Sequence, residues 1–152
     1  MGLRLAVVVA VILGACQSAP RELGSFAIRP VAPSLSAGSG RAAISGSGDL
    51  VLAVTLHGPA EEITRTGAEG ALQPNLIWHL LEGDCASWER GETTHTVLYR
   101  WTVNADRTDT TEFTRVIPKG FANDLVGPHA LAAFRNGGGG PLYVCGDLPR
   151  AT

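Results

Sequence analysis

Motifs that would announce a chemistry are missing from this chain. There is no His-Glu-x-x-His, Cys-x-x-Cys or Gly-x-Ser-x-Gly sequence and no phosphate-cradling glycine motif, so the usual sequence signatures of zinc peptidases, dithiol enzymes, serine hydrolases and nucleotide-binding enzymes are all lacking. Adjacent Glu61 and Glu62 would point apart on a strand and make no acid/base pair. Basic residues are few: 12 Lys and Arg, scattered singly against 14 Asp and Glu, give a net charge of -2. With no basic stripe, nucleic acid is not an expected partner. Repeats of solenoid length and long amphipathic helices are absent as well. No apolar run approaches the roughly 20 residues that span a bilayer as a helix, which argues against a permanent transmembrane segment.

What is present is enough for one domain. A chain of 152 residues with 45% hydrophobic side chains can bury a real core but is short for two. Its first residues are of a different kind. Met1-Gly2-Leu3-Arg4 carries one positive charge, and Leu5 to Leu13 is an unbroken apolar stretch, which together read as a secretory signal. Leu13-Gly14-Ala15-Cys16 resembles the lipobox of bacterial lipoproteins, in which the cysteine is lipidated and becomes the new N-terminus. The alternative is an ordinary signal cut after Ala15. Cysteine parity favours the lipid, because assigning Cys16 to a thioether leaves Cys85 and Cys145 to pair in an exported protein. Two free buried thiols are the other reading of that pair. Residues 1–15 are thus expected to be a lipoprotein signal peptide, 16–25 a tether anchored through Cys16, and 26–152 the domain. Removing the signal takes away Arg4 and leaves 11 basic against 14 acidic side chains, so electrostatics add nothing to the anchor. By the same resemblance, Gln17 in place of Asp gives no inner-membrane retention signal. The expected location is the cell envelope, at the outer membrane or the outer face of the cytoplasmic membrane.

Within the domain the sequence alternates short β-forming runs with turn residues. Phe26-Ala27-Ile28 opens the first strand, and Pro30, Pro33 and Ser34 to Gly40 form a loop. Arg41 to Ile44 and Asp49 to Leu56 make a hairpin over Gly46-Ser47-Gly48. Glu61 to Gly70 reads as a loop with at most one turn, and Ile77 to Leu81 as a buried strand entering a turn that ends on Cys85. Ser87 to Thr94 is a polar loop. Strands follow at Thr96–Val103 and Thr110–Ile117, separated by a turn at Asn104–Arg107. A helical turn at Phe121–Leu125 leads to two last strands, His129–Phe134 and Leu142–Val144, joined through the glycines of Asn136–Pro141. About eight short strands and no long helix predict an all-β, eight-stranded antiparallel barrel or sandwich.

Two segments carry a resemblance that covers roughly Arg41 to Pro149. His79-Leu80-Leu81-Glu82-Gly83-Asp84-Cys85 and Gly139-Gly140-Pro141-Leu142-Tyr143-Val144-Cys145-Gly146, with the glycine-punctuated hairpin before them, are similar to the copper/zinc superoxide dismutase superfamily, particularly its bacterial lipoprotein members. The resemblance implies a Greek-key eight-stranded barrel with a metal site on one face. Its ligand positions are largely lost here. The first histidine of the copper-binding pair matches His79, but the second position holds Leu81, and the third copper histidine falls at Phe134. Where the family has a zinc loop of several histidines and an aspartate, this chain has only His95. The arginine implied three residues before the last cysteine is Leu142.

Copper chemistry needs several imidazoles converging on one ion, and an isolated histidine cannot fix that geometry. Strand alternation places Ile77, His79 and Leu81 on one face, so the former metal face would be an apolar patch of Leu81 and Phe134 around His79. The expectation is therefore a non-catalytic module with no catalytic residue and no cofactor, whose apolar face could meet an unknown protein or an apolar ligand. The alternative is copper held by His79 with His95 or His129, or both, as a copper-only dismutase or a copper carrier. Bland roles also suit these histidines: His57 in a turn, His129 at a strand start, His95 in solvent. Trp78, Tyr99 and Trp101 sit at strand spacing and read as packing residues. The anchor is tested directly by Cys16→Ser, which should release the exported protein from membranes into the soluble fraction; unchanged membrane retention would count against a lipidated Cys16.

Overall fold

A computed structural model describes residues 18–92, 96–104, 108–121, 125, 127–135 and 141–150. Eight strands form one antiparallel sheet in the order β7-β6-β9-β10-β1-β2-β3-β8. They are β1 (Arg21–Pro30), β2 (Ala37–Ile44), β3 (Leu50–His57), β6 (Leu76–Glu82), β7 (Val97–Thr102), β8 (Thr110–Ile117), β9 (His129–Arg135) and β10 (Leu142–Asp147). The connections from β3 to β6, from β7 to β8 and from β8 to β9 cross between the two halves of this order, which is Greek-key connectivity. A one-turn helix α1 (Ala60–Ile63) and a small hairpin of β4 (Thr64–Thr66) and β5 (Leu72–Pro74) fill the first crossing. Helix α2 (Cys85–Glu89) follows β6. The fold is the all-β barrel that the strand pattern predicts. Among the described residues no helix is long and apolar enough to cross a membrane.

The sheet turns a corner and curls almost shut. At the corner, β10 pairs with β1 through only Arg29↔Cys145 and Pro30↔Val144, so β1-β2-β3-β8 and β7-β6-β9-β10 can face each other. At the opposite seam, β7 and β8 meet through side chains instead of a hydrogen-bonded ladder. The rings of Trp101 and Phe113 lie 5.9 Å apart, those of Trp78 and Phe113 5.0 Å apart, and Arg115 donates to the Tyr99 hydroxyl at 2.9 Å. Inside, period-two alternation sorts the chain. Leu50, Leu52, Val54 and Leu56 of β3 are buried while Ala53 is exposed, and Leu76, Trp78 and Leu80 of β6 face them across the core.

Several boundaries differ from the sequence expectation, each for a local reason. Strand β1 begins at Arg21, not Phe26, because Gly24 at φ 135° absorbs a bulge and the ladder with β2 continues past it. Residues 21–25, expected as part of the tether before Phe26, therefore belong to the strand. Ser34–Gly40 is a loop only as far as Ser36, and β2 starts at Ala37, where the glycines suit close contact instead of a turn. Gly40 is the register partner of Phe26, and a Cβ built there would run into the Phe26 ring. The polar 61–70 segment, expected as a loop, makes α1 and β4 and turns on Gly70 at φ 78°. In the expected loop after Cys85, Asp84 accepts from the Ser87 amide at 2.8 Å and caps α2. The helical turn expected at 121–125 lies earlier, at Lys119–Phe121, with residues 122–124 outside the described set. The 136–140 hairpin turn also lies outside it, though β9 and β10 pair antiparallel on either side.

The Gly40 contact is open to test. Gly40→Val should destabilise the protein by about 1–3 kcal/mol, the usual cost of overpacking a filled core. Phe26→Ala in the Gly40→Val background should recover part of the loss in chemical denaturation, because the collision is with that ring.

Candidate functional site

The candidate face around His79 is built on β6. Its neighbours β7 and β9 set His79 between Arg100 on one side and Ala132 on the other. Leu76, Trp78 and Leu80 point inward, and Ile77, His79 and Leu81 outward, as the alternation requires. The outward set is nevertheless covered. After Gly83 the chain folds back as α2, and a disulfide joins Cys85 to Cys145 of β10 with their Cα atoms 5.7 Å apart. Asp147 accepts from the Cys85 amide at 2.7 Å, the Trp88 indole N–H donates to the Glu82 carbonyl at 2.8 Å, and Arg29 pairs with Glu89 at 2.6 Å. Beneath this flap lies a second small core of Leu81, Cys85, Ala130, Ala132 and Cys145, bordered by Val31, Trp88, Phe134 and Leu142.

His79 is the one ionisable side chain buried outward on β6. It is 4% exposed, its ring centroid lies 4.7 Å from that of Phe134, and neither ring nitrogen has a hydrogen-bond partner. Burial, and secondarily the charge of Arg100, hold its pKa down to about 4. The imidazole is neutral near pH 7. The half-buried Phe134 packs on the ring, and Leu81 lies two residues further along the same face of β6.

The other candidates do not gather there. His129 pairs with Glu82, three register steps or roughly 10 Å along β9 from the Ala132 position opposite His79. Its alternation matches Leu131 and Ala133, so it points to the face opposite Phe134. Its Nδ1 lies 3.0 Å from the Gly127 carbonyl, which makes that nitrogen the donor. His57 ends β3 with Nδ1 3.0 Å from the Thr110 hydroxyl. His95 and Cys16 lie outside the described residues. Among the described residues no group of three or more His, Cys, Asp or Glu side chains could hold a metal ion. No second histidine among the described residues converges on His79. Trp78 and Trp101 are buried core residues and Tyr99 is half-buried at the seam.

No family model, curated protein or solved structure matches this chain.

One buried charge escaped the sequence reading. Glu62 of α1 is 7% exposed and has no cation beside it in the hydrogen-bond set. Its carboxylate instead accepts from the loop before β2: the Ser34 hydroxyl at 3.0 Å, the Leu35 amide at 3.0 Å, the Ser36 amide at 3.0 Å and the Ser36 hydroxyl. Burial works to raise its pKa, but these donors together outweigh it and leave the group below the usual carboxylate value. The Ser-Leu-Ser spacing was the only available signal, and it becomes meaningful once α1 is known to pack beside it.

Both groups bind their proton more weakly in the folded protein, so both withdraw stability towards acid, over different ranges. His79 binds its proton more weakly folded than unfolded, so its contribution to stability is complete above pH 6.5 and is lost as pH falls towards 4. Glu62 acts lower, its contribution being lost as pH falls below 4.5. His79→Leu should therefore flatten the stability profile between pH 6.5 and 4, removing at most about 3 kcal/mol of pH dependence. Denaturant unfolding across that range is the measurement, and an unchanged slope would show that His79 stays solvated.

Proposed function

We propose that the chain is a lipid-anchored, dismutase-like β-barrel without catalysis, serving outside the cytoplasm as a binding or structural module. The reading is carried by one observation: the face that the superfamily resemblance assigns to copper holds a single neutral imidazole, His79, packed on Phe134 beside Leu81 and Ala132. The eight-stranded Greek-key order supports the resemblance, although fold alone does not carry function. The partner surface in this proposal is the half-exposed apolar rim of Phe134, Ile77 and Leu142, suited to an unknown protein or an apolar ligand. Membrane attachment through Cys16 would present that surface in the cell envelope.

A second reading has an observation in its favour. Both nitrogens of His79 are without a protein partner, and the neutral ring is the metal-binding form. Copper carriage, or dismutation by a copper-only site, would use it with His95, since His129 points to the opposite face of β9. Metal analysis separates the readings. Protein exported under copper-replete conditions should contain no stoichiometric copper and should bind none with submicromolar affinity. Stoichiometric copper lost in His79→Ala would overturn the module; superoxide removal above that of free copper would then identify a dismutase, and its absence a carrier.

A further inference from the structure

Three connections converge at the barrel end where β3, β7 and β9 finish, and they border an open cleft of about 530 Å³. The first crossing contributes Glu61, Thr64, Arg65 and Asn75, the β7–β8 connection Thr108, and the end of β9 Arg135. This volume lies inside the range of roughly 300–1,000 Å³ typical of small-molecule sites. The lining mixes apolar surface, to which Ala60 and Leu72 contribute, with polar side chains that include two guanidinium groups against one carboxylate, Glu61.

Neither arginine is spent on an ion pair with another described residue; the pairs formed there are Arg29–Glu89, Arg41–Glu22 and Arg90–Glu92. Arg135 is half-buried and held in place. Its Nη1 donates to the Tyr143 hydroxyl at 3.3 Å, its guanidinium carbon lies 5.7 Å from the Tyr143 ring centre, and its buried Nε has no partner among the described residues. A desolvated donor on a fixed cation is costly unless an acceptor reaches it. Arg65 sits on β4, which is tied to β5 by Arg65↔Gln73 and to α1 by the Thr64 hydroxyl donating to the Ala60 carbonyl at 3.2 Å. Asn75 is buried and fixed by donating to the Glu61 carbonyl at 2.7 Å. These contacts tie β4, β5 and Asn75 to α1 beside the cleft.

We infer that this cleft binds a small hydroxylated oxyanion, with the guanidinium groups of Arg65 and Arg135 taking its carboxylate or phosphate. Guanidinium forks match the paired oxygens of both groups. Threonine hydroxyls, Asn75 and the Glu61 carboxylate suit the hydroxyls of the remainder, which the cleft has room for at about the size of a monosaccharide. The inference goes beyond the proposed module and does not rest on it, since none of the lining residues belongs to the His79 face.

Titration of the full exported chain in detergent, followed by the arginine Nε–H resonances, tests it. Glucose 6-phosphate and gluconate are the probes for the two anion types, and glucose is the neutral control. Saturable binding of at least one anion with a shifted Arg135 resonance is expected, and which anion binds names the group. Glucose should give no response. Arg65→Gln, at an exposed position, should weaken binding about tenfold or more, the loss of one charge-assisted hydrogen bond; Arg135→Gln should do the same. Arg41→Gln, paired with Glu22 elsewhere on the surface, should leave binding unchanged. Failure of both anions to saturate, equal binding of glucose, or wild-type affinity in Arg65→Gln would overturn the site.

Discussion

A strand buried on both faces needs something to cover its second face, and in this protein the cover is covalently fastened. β6 presents Leu76, Trp78 and Leu80 to the barrel core and His79 and Leu81 outward, where an antiparallel barrel would ordinarily meet water. Of the apolar side chains on the flap carrying α2, Cys85 is buried, Trp88 is half-buried and Ala86 is exposed. The Cys85–Cys145 bond closes a loop of 60 residues, which in the chain-entropy account stabilises the folded state by roughly 4 kcal/mol. Its position matters as much as its energy. Cys145 lies in β10 beside the narrow corner with β1, so one bond fastens the flap, the outer face of β6 and β9, and the place where the sheet turns.

The buried polar groups are satisfied by two different routes. Glu62 keeps its charge because a loop folds around it and donates several hydrogen bonds, which replace the water it loses. His79 gives up its charge because only hydrocarbon and an aromatic ring surround it, with Arg100 disfavouring a second positive charge. Neighbouring donors explain the difference; depth does not, since both side chains are nearly fully buried. At the β7–β8 seam a third arrangement appears, with Arg115 lying 5.4 Å and 5.8 Å from the centres of the Tyr99 and Trp101 rings. Aromatic faces there accept a cation with no carboxylate in the described contacts and help to join two edges that share no ladder.

The local grammar of the chain was legible wherever a period could be read. The hairpin over Gly46-Ser47-Gly48, the inward set of β3, and the outward placing of His79 and Leu81 on β6 all follow from alternation and turn residues. Polar stretches were not legible in the same way. Residues 61–70 and 85–89 carry no apolar period, yet they form α1, β4 and α2, because capping by Asp84 and anchoring of Glu62 act through neighbours that the sequence does not reveal. Gly24, Gly38 and Gly40 misled in another direction. Glycine marks turns, but it also permits bulges and close approach within a strand, and only the facing chain distinguishes the two.

By itself, then, the sequence determined the class of fold and the faces of its clearer strands, and it offered Cys85 and Cys145 as a pair that the structure joins. Tertiary structure alone decided that β3 pairs with β8 and β6 with β9, that His129 turns away from His79, and that Arg65 and Arg135 border one cleft. The physical reason is range. Alternation and turn chemistry act over a few residues and are written in the order of the side chains, whereas strand partners, buried charges and clefts arise from contacts between segments dozens of residues apart, whose meeting depends on the packing of the whole barrel.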